Sequence, residues 1–256
     1  MAGTKKIYFI SDFHLGAPDA KTSLERERKI VHFLDRIKPD AEELFILGDL
    51  FDFWFEYRNV VPKGYVRILG KLAELSDAGI PIHFFVGNHD MWMSGYFEQE
   101  LNIPVYHQPK AFERHGKKML IGHGDGLGPG DYGYKFIKAV FRNRICRFLF
   151  SVLPPSLGIG MANYFSRKSR AKTGHTNEVF NGAENEWLYQ YAKDVLQLTH
   201  YDYFIFGHRH LPLDLELNPQ SRYINLGDWI RYYSYGEMEE GSVELKYAGK
   251  EDNLVG

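Results

Sequence analysis

The sequence has little cysteine and no long apolar run. Cys146 is the single cysteine among 256 residues, so an internal disulfide is excluded and a reducing compartment is expected. The apolar run near the N-terminus, residues 7–10, is too short for the core of a secretion signal or for a membrane span. These shortages predict a cytoplasmic protein.

The sequence also lacks an excess of basic residues. Its 31 Lys and Arg against 33 Asp and Glu give a formal net charge of -2, which excludes a strongly basic coat for nucleic acid. With 44% hydrophobic and 25% charged residues, the composition is that of a globular protein with one large core or two small ones. We therefore expect no nucleic-acid partner.

Residues 132–177 contain no acidic side chain, although they contain nine Lys and Arg. Apolar residues surround Pro154-Pro155, and this proline pair predicts a break between two helices. We interpret 131–178 as a helical lid inserted into a single domain, 1–256. A basic helical hairpin packed on the core and a binding surface for an amphiphilic phosphate ester both fit this segment.

Polar motifs follow five apolar runs along the chain. In order, they are Asp12-Phe13-His14, Gly48-Asp49-Leu50-Phe51-Asp52, Gly87-Asn88-His89-Asp90, Gly122-His123-Gly124-Asp125 and Gly207-His208-Arg209-His210. Carboxylates, a carboxamide and imidazoles are the donors of a site that holds two divalent metals. Each apolar run predicts a buried strand that delivers polar residues at its C-terminal end.

Helical periodicity separates the first three of these strands. Apolar residues at spacings of three and four predict helices over 23–37 and 65–78. The alternation of strand and helix predicts a layered α/β fold with its active site at the C-terminal ends of the strands. Two further runs, 223–226 and 242–248, predict finishing strands.

Asp49 is the expected bridging ligand. Two cations about 3.5 to 4 Å apart repel strongly unless an anion lies between them, and the order of the motifs places Asp49 between the ligands of the two ions. Asp12 and His14 are separated by one residue, so at an extended strand end their side chains point the same way. The fifth motif repeats that spacing with His208 and His210.

The five motifs resemble those of the calcineurin-like metallophosphoesterase family, in which the same blocks occur in this order. The resemblance implies a four-layer α/β/β/α sandwich of two mixed β-sheets flanked by helices. It implies two sets of metal ligands, Asp12, His14, Asp49 and His210 for one ion and Asp49, Asn88, His123 and His208 for the other. A water activated by both ions would attack phosphorus, with His89, positioned by Asp52, near the leaving group. Asp90 and Asp125 would orient neighbouring groups.

Further segments resemble the UDP-2,3-diacylglucosamine diphosphatases of lipid A biosynthesis. The second motif continues into Phe53-Trp54, the fourth continues to Tyr134, the lid occupies the expected place, and 225–229 resemble the end of those sequences. Such enzymes release UMP and 2,3-diacylglucosamine 1-phosphate. The resemblance implies an amphiphilic nucleotide-sugar lipid as substrate and peripheral contact with the inner face of the inner membrane.

The same resemblance implies where this substrate would bind. The side chains expected to meet uridine, sugar and phosphate are Asn88, His89, Asp131, Tyr134, Arg167, Ser169, Arg170 and Lys172. Those expected to line an acyl groove are Phe141, Phe148, Leu149, Phe150, Val152, Leu153 and Leu157. Because the metal donors are nitrogen and oxygen without thiolate, we expect Mn²⁺, with Fe or Zn as alternatives.

His89 departs from the narrower pattern. Enterobacterial members carry Arg after the Gly-Asn dipeptide, and Arg grips phosphate as a bidentate fork whereas His does not. Three hypotheses therefore stay open. We favour the lipid A nucleotide-sugar diphosphatase over a metallophosphoesterase acting on nucleotide diphosphates, phosphodiesters or phosphoproteins. A non-catalytic scaffold would have lost metal ligands, and none is lost here.

Overall fold

Two mixed β-sheets form the centre of the fold. The computed structural model describes residues 4–128, 135, 138–141, 143–173 and 179–249, except for the side chains of 167–173. The strands are β1 (Lys6–Ile10), β2 (Ala41–Leu47), β3 (Ile82–Phe85), β4 (Val105–Tyr106), β5 (Lys110–Arg114), β6 (Lys117–Ile121), β7 (Tyr203–Phe206), β8 (Pro212–Asn218), β9 (Ser221–Leu226), β10 (Ser234–Glu239) and β11 (Ser242–Tyr247). The helices are α1 (Ala20–Ile37), α2 (Val66–Asp77), α3 (Tyr96–Leu101), α4 (Arg144–Ser151), α5 (Pro155–Thr173) and α6 (Trp187–Leu196), with a short 3₁₀ helix at Ala183–Asn185.

The first sheet has the strand order β11-β10-β1-β2-β3-β4, and the second has the order β5-β6-β7-β9-β8. Strands β1 to β4 run parallel, as do β6, β7 and β9. The remaining strands pair antiparallel. Because parallel strands end at the same edge of a sheet, the motifs that follow β1, β2 and β3 share one edge.

Three apolar cores separate four layers of structure. Alternate residues of a strand face opposite sides of its sheet. Tyr8 and Ile10 of β1 pack with α1 and α2, whereas Ile7 and Phe9 pack between the two sheets. Helix α6 covers the outer face of the second sheet through the buried Leu188. The predicted α/β/β/α sandwich is confirmed.

The sequence patterns located the parallel strands better than the antiparallel ones. Helices α1 and α2 lie close to their predicted bounds, and a strand precedes each of the five motifs. Strands β4, β5, β8 and β10 were not predicted. β4 has only two residues, whereas β5 and β8 are part-exposed and charged, so neither shows a continuous apolar run.

Helices α4 and α5 flank the proline pair, as the sequence predicted. α4 ends at Ser151, and α5 begins at Pro155. In the part of the chain that the structure describes, no helix is both long and apolar enough to cross a membrane. The interpretation of 131–178 as a lid remains a prediction.

Aromatic rings hold α4 against the loop that follows β2. The Phe150 ring of α4 lies 4.7 Å from the Phe55 ring and 4.8 Å from the Trp92 ring, measured between centroids. The Trp92 indole donates a hydrogen bond to the Phe141 carbonyl at 2.7 Å. The inserted segment is thus joined to Trp92, after β3, and through Phe55 to residues 51–57, which also contain the second motif's Asp52.

An ion pair joins the two sheets. Arg114 on β5 donates through Nε and Nη2 to the two carboxylate oxygens of Glu43 on β2, each at 2.8 Å. His83 Nε2 lies 3.7 Å from the same carboxylate. Burial opposes ionisation of Glu43, but His83 and Arg114 outweigh it and lower the pKa of this carboxyl to about 2.

Glu43→Gln is expected to lower the free energy of unfolding by about 1 to 2 kcal/mol at pH 7, because it removes a charged, bidentate hydrogen bond. The folded-state pKa of about 2 lies below the ordinary value of 4.5. This contribution is therefore complete above pH about 4.5 and is lost as pH falls toward 2. Urea unfolding should show a smaller difference at pH 3.5 than at pH 7. Glu113→Gln, at an exposed position on β5, is the control, and equal differences at both pH values would contradict the prediction.

Candidate active site

Loops after β1, β2 and β7 bring three motifs together. The backbone amide of Asp12 donates to the Gly48 carbonyl at 3.1 Å, and that of His14 donates to the Asp49 carbonyl at 2.8 Å. From the second sheet, the His208 amide donates to Asp12 Oδ2 at 2.9 Å. The site therefore lies where the two sheets meet.

Several motif residues have left-handed backbone conformations. These residues are Asp12 (φ 57°), His14 (φ 46°), Asp49 (φ 53°), His208 (φ 68°) and His210 (φ 54°). Residues other than glycine rarely adopt positive φ, at a cost of order 1 kcal/mol each, and such strain concentrates at functional sites. The hydrogen bonds between the loops hold these side chains in place against that cost.

A first cluster contains four candidate ligands. Its nitrogen and oxygen atoms, from Asp12, His14, Asp49 and His210, all lie within 4.8 Å of one another. His210 Nε2 is 3.3 Å from Asp12 Oδ1 and 3.1 Å from His14 Nε2. His14 Nε2 is 3.6 Å from Asp49 Oδ2. This is the first ligand set that the sequence predicted.

A second cluster surrounds the amide oxygen of Asn88. That oxygen lies 2.9 Å from His208 Nδ1 and 3.1 Å from His123 Nε2. His123 Nε2 is in turn 3.4 Å from Asp49 Oδ2. The same carboxylate oxygen thus adjoins both clusters, which is the position that a bridging ligand requires.

The donor atoms of the first cluster fit a cation. Asp12 Oδ1 is buried and accepts no hydrogen bond, although the ring nitrogens of His14 and His210 face it. Those two nitrogens are 3.1 Å apart, so either a proton or a cation has to lie between them. A divalent ion among them would satisfy the oxygen and both lone pairs, and the donors are those that divalent metals accept.

Burial and the carboxylates shift the imidazole pKa values in opposite directions. Burial lowers the pKa of His14 to about 3. Burial also disfavours a charged His123, but Asp49 outweighs it and raises the pKa of that ring to about 10. Asp12 does the same for His210, whose pKa rises to about 10. Protons and cations therefore compete for these nitrogens.

His89 and Asp52 form a pair beside the first cluster. His89 Nδ1 lies 3.0 Å from the Asp52 carbonyl oxygen and 3.4 Å from its carboxylate Oδ1. The His89 amide donates to Asp49 Oδ1 at 2.8 Å, and its ring meets the His14 ring edge-on with centroids 4.8 Å apart. The predicted pair therefore lies next to the first cluster. Its role toward a leaving group remains a prediction.

The two remaining motif carboxylates contact backbone amides and a lysine of the inserted segment. Asp90 accepts from the amides of Leu50 and Gly87 at 2.8 and 2.7 Å. Burial, reinforced by Asp49, raises the pKa of Asp90 to about 7. Asp125 forms an ion pair with Lys138 of the inserted segment. The contacts of Asp90 are of the orienting kind expected from the sequence, whereas Asp125 pairs with a lysine.

Further groups orient the histidines, and sequence reasoning missed one of them. His123 Nδ1 lies 2.6 Å from the Leu47 carbonyl, which leaves Nε2 for the second cluster. His210 Nδ1 lies 3.5 Å from Asp228 Oδ2. The other oxygen of Asp228 accepts three backbone amides, from 230–232. The sequence showed Asp228 only as part of a terminal motif, because its contact with His210 depends on the pairing of β7 with β9.

A buried ion pair lies behind the fifth motif and was also missed. Arg209, between the two histidines of the motif, donates through Nε to both oxygens of Glu186 at 3.0 and 2.9 Å. Its guanidinium lies 4.4 Å from the centre of the Trp187 ring. This pair ties the motif to the start of α6, and a single arginine in the sequence gives no sign of it.

Two motif glycines are required by close approach to carboxylates. A Cβ at Gly87 would overlap Asp49 Oδ1, and a Cβ at Gly207 would overlap Asp12 Oδ2. Each glycine therefore allows a backbone segment to lie directly against a ligand side chain.

The structure describes part of the predicted substrate surface. Asp131 and Tyr134 lie outside the described residues, as do the side chains of Arg167, Ser169, Arg170 and Lys172. Within the predicted acyl groove, the side chains of Phe141, Phe148, Leu149, Val152 and Leu157 are exposed, and Leu153 is partly exposed. Phe150 instead packs inward, against the ring of Phe55.

Residues 5–212 match the sequence pattern of the calcineurin-like phosphoesterases. The chain belongs to that family. Similar proteins include a UDP-2,3-diacylglucosamine hydrolase from Porphyromonas gingivalis, 41% identical over 94% of this chain and 97% of its own length. Proteins of the same name from Ectopseudomonas mendocina and Aeromonas hydrophila are 33% and 30% identical, over 88% and 95% of this chain and 90% and 95% of their own lengths. These findings confirm the predicted family and the class of metal-dependent phosphate-bond hydrolase.

In this phosphoesterase, Asp228→Asn is expected to weaken cation binding by about 10- to 100-fold. Asn keeps one oxygen for the backbone amides but presents an N–H to His210 Nδ1, which moves the ring proton to Nε2. Titration calorimetry of metal-stripped protein with Mn²⁺ would measure the loss. Asp214→Asn, which removes an exposed pairing with Arg222, should bind Mn²⁺ as the unaltered protein does. Equal affinity for Mn²⁺ in both variants would show that Asp228 does not support the metal ligand His210.

Proposed function

We propose that the protein hydrolyses the diphosphate of UDP-2,3-diacylglucosamine to UMP and 2,3-diacylglucosamine 1-phosphate. The observation that carries this proposal is the 41% identity with the Porphyromonas gingivalis UDP-2,3-diacylglucosamine hydrolase over 94% of this chain. The match extends beyond the residues shared by the whole family, since it spans the inserted helices as well as the ligand clusters.

The reaction adds one water across a phosphoric anhydride. The water oxygen bonds to one phosphorus, the bond from that phosphorus to the bridging oxygen breaks, and the two phosphate products take up the water's protons. Two divalent ions, when bound, supply Lewis acidity and lower the pKa of a water. The residues that would hold them are Asp12, His14, Asp49 and His210 for one ion, and Asp49, Asn88, His123 and His208 for the other. The nitrogen and oxygen donors favour Mn²⁺, with Fe or Zn as alternatives.

His89 acts on the leaving-group side of the site. His89 Nδ1 donates to the Asp52 carbonyl oxygen, and the Asp52 carboxylate lies 3.4 Å away, so Asp52 fixes the direction of the ring. With Nδ1 directed at Asp52, a second proton on Nε2 lets the ring stabilise the negative charge that develops on the departing phosphate, or give it a proton. Asp52 thus acts through His89 and not on the substrate.

The identity of His89 favours a second candidate function, a phosphoesterase of other specificity. An imidazole offers one donor where a guanidinium would offer a fork, so it contributes less to gripping a diphosphate. A nucleotide diphosphate, a phosphodiester or a phosphoprotein is the substrate of this alternative, and the inserted helices would then serve only as packing.

An exposed apolar face on α4 supports the lipid substrate. Ile145, Phe148, Leu149 and Val152 follow the spacing of one helix face, and 57 to 68% of each residue's surface is exposed. Large exposed apolar patches mark binding surfaces. In this proposal the face binds the acyl chains and contacts the lipid surface that presents them, and the protein acts in the cytoplasm at the inner face of the inner membrane.

Purified protein with Mn²⁺ is expected to release UMP from UDP-2,3-diacylglucosamine, and none after complete removal of metal. In ¹⁸O-water, the labelled product identifies the phosphorus that is attacked. Asp49→Ala, which removes the oxygen next to both clusters, should lower turnover by about 10³-fold or more, whereas Asp35→Ala on the surface of α1 should not. Cleavage of bis-p-nitrophenyl phosphate without any UMP release would support the second candidate.

Replacing Phe148 and Leu149 together by Ser is expected to lower kcat/KM for the acylated substrate by about 10-fold or more, since each residue loses about 1 to 2 kcal/mol of apolar contact. Cleavage of bis-p-nitrophenyl phosphate should not change, and sedimentation with anionic lipid vesicles should fall. Leu198→Ser, which alters a residue that is 88% exposed outside the lid, is the control. Equal losses on both substrates would instead indicate a folding role for this face.

A further inference from the structure

Ser166, on the inserted helix α5, contacts the His89–Asp52 pair. Its hydroxyl donates to Asp52 Oδ2 at 3.0 Å. The Ser166 Oγ atom also lies 3.3 Å from His89 Nδ1. Ser166 is 114 residues from Asp52 in sequence. None of the five motifs contains it, so the inserted helix adds a polar contact to a pair that the core motifs already form.

The position of α5 is fixed by contacts with the same loop that carries Asp52. A Cβ at Gly158 of α5 would collide with the Tyr57 hydroxyl and come within 3.2 Å of the Phe150 ring. At Gly158, eight residues before Ser166, the helix therefore packs closely on residues 51–57. Where α5 lies thus determines whether the Ser166 hydroxyl reaches Asp52.

The hydrogen bonds around His89 define the direction of its ring. The Asp52 carbonyl can only accept, so His89 Nδ1, 3.0 Å away, carries the proton. The Ser166 hydroxyl points its own proton at Asp52 Oδ2 and leaves a lone pair toward His89 Nδ1. Ser166 consequently restrains both members of the pair at once.

We propose that Ser166 is a positioning residue for His89, so that the leaving-group side of the site is completed by the inserted helix. The inference rests on the proposed function of His89. It assigns to the inserted segment a contribution to turnover that is separate from substrate binding. The apolar face of α4 contributes to KM, whereas Ser166 contributes to kcat.

Ser166→Ala is expected to lower kcat for UDP-2,3-diacylglucosamine by about 10-fold, the size typical of a lost supporting contact, with KM changed less than about 2-fold. Alanine favours the helix, so the variant should fold. Ser166→Thr keeps a hydroxyl and should recover most of the lost kcat. Ser151→Ala is the matched control, because that hydroxyl on α4 donates to the Phe148 carbonyl of its own helix.

A double-mutant cycle with His89→Ala separates positioning from direct contact. If Ser166 acts through His89, Ser166→Ala should change kcat less than about 2-fold in the His89→Ala background. The same 10-fold loss in both backgrounds would overturn the proposal, since Ser166 would then act on substrate directly. A raised KM with unchanged kcat would overturn it in favour of a structural role for α5.

A second substrate separates failure of this proposal from failure of the proposed function. Diphenyl phosphate has a poorer leaving group than bis-p-nitrophenyl phosphate, so it depends more on His89. If no UMP is released but diphenyl phosphate and bis-p-nitrophenyl phosphate are both cleaved, the proposed lipid substrate is wrong. The double-mutant cycle of Ser166→Ala and His89→Ala is then measured with diphenyl phosphate. The Ser166→Ala loss should then be larger for diphenyl phosphate, and equal effects on the two diesters would overturn the positioning role.

Discussion

The carboxylate of Asp49 is the group on which both ligand clusters depend. Its Oδ2 lies 3.6 Å from His14 Nε2 on the first sheet and 3.4 Å from His123 Nε2 on the second. Two cations separated by a few ångströms repel, so one anion has to face both. The packing of Ile7 and Phe9 between the sheets therefore also sets the distance between the two halves of the site.

The backbone conformation of the candidate ligands has a free-energy cost that the rest of the fold offsets. Left-handed backbone at the candidate ligands is unfavourable in isolation. Hydrogen bonds from buried groups around the loops offset this cost. Arg26 of α1 is one such group, because one nitrogen of its guanidinium donates to the carbonyls of Phe13, His14 and Ala17. The ligand geometry thus results from the surrounding hydrogen bonds and not from the motif residues alone.

The features that the sequence predicted correctly are those that a local residue pattern can encode. Apolar runs that end in polar motifs predicted the parallel strands, and the strand order then brought Asp12 and Asp49 together. The sequence did not reveal the contacts of Asp228, Glu186 and Ser166, because each of these residues lies outside the five motifs and approaches a motif residue from another segment. Contacts of that kind depend on tertiary packing, which leaves no periodicity in the chain.

The loop at 51–57 serves two purposes that are usually kept on separate parts of an enzyme. It carries Asp52, and its aromatic residues also form the surface on which α4 and α5 rest. A relative that acquired a different insertion for a different lipid would have to refit this loop, and would disturb Asp52 in doing so. With the role proposed for Asp52, specificity and turnover in such enzymes are expected to diverge together, and compensating changes should be concentrated in residues 51–57.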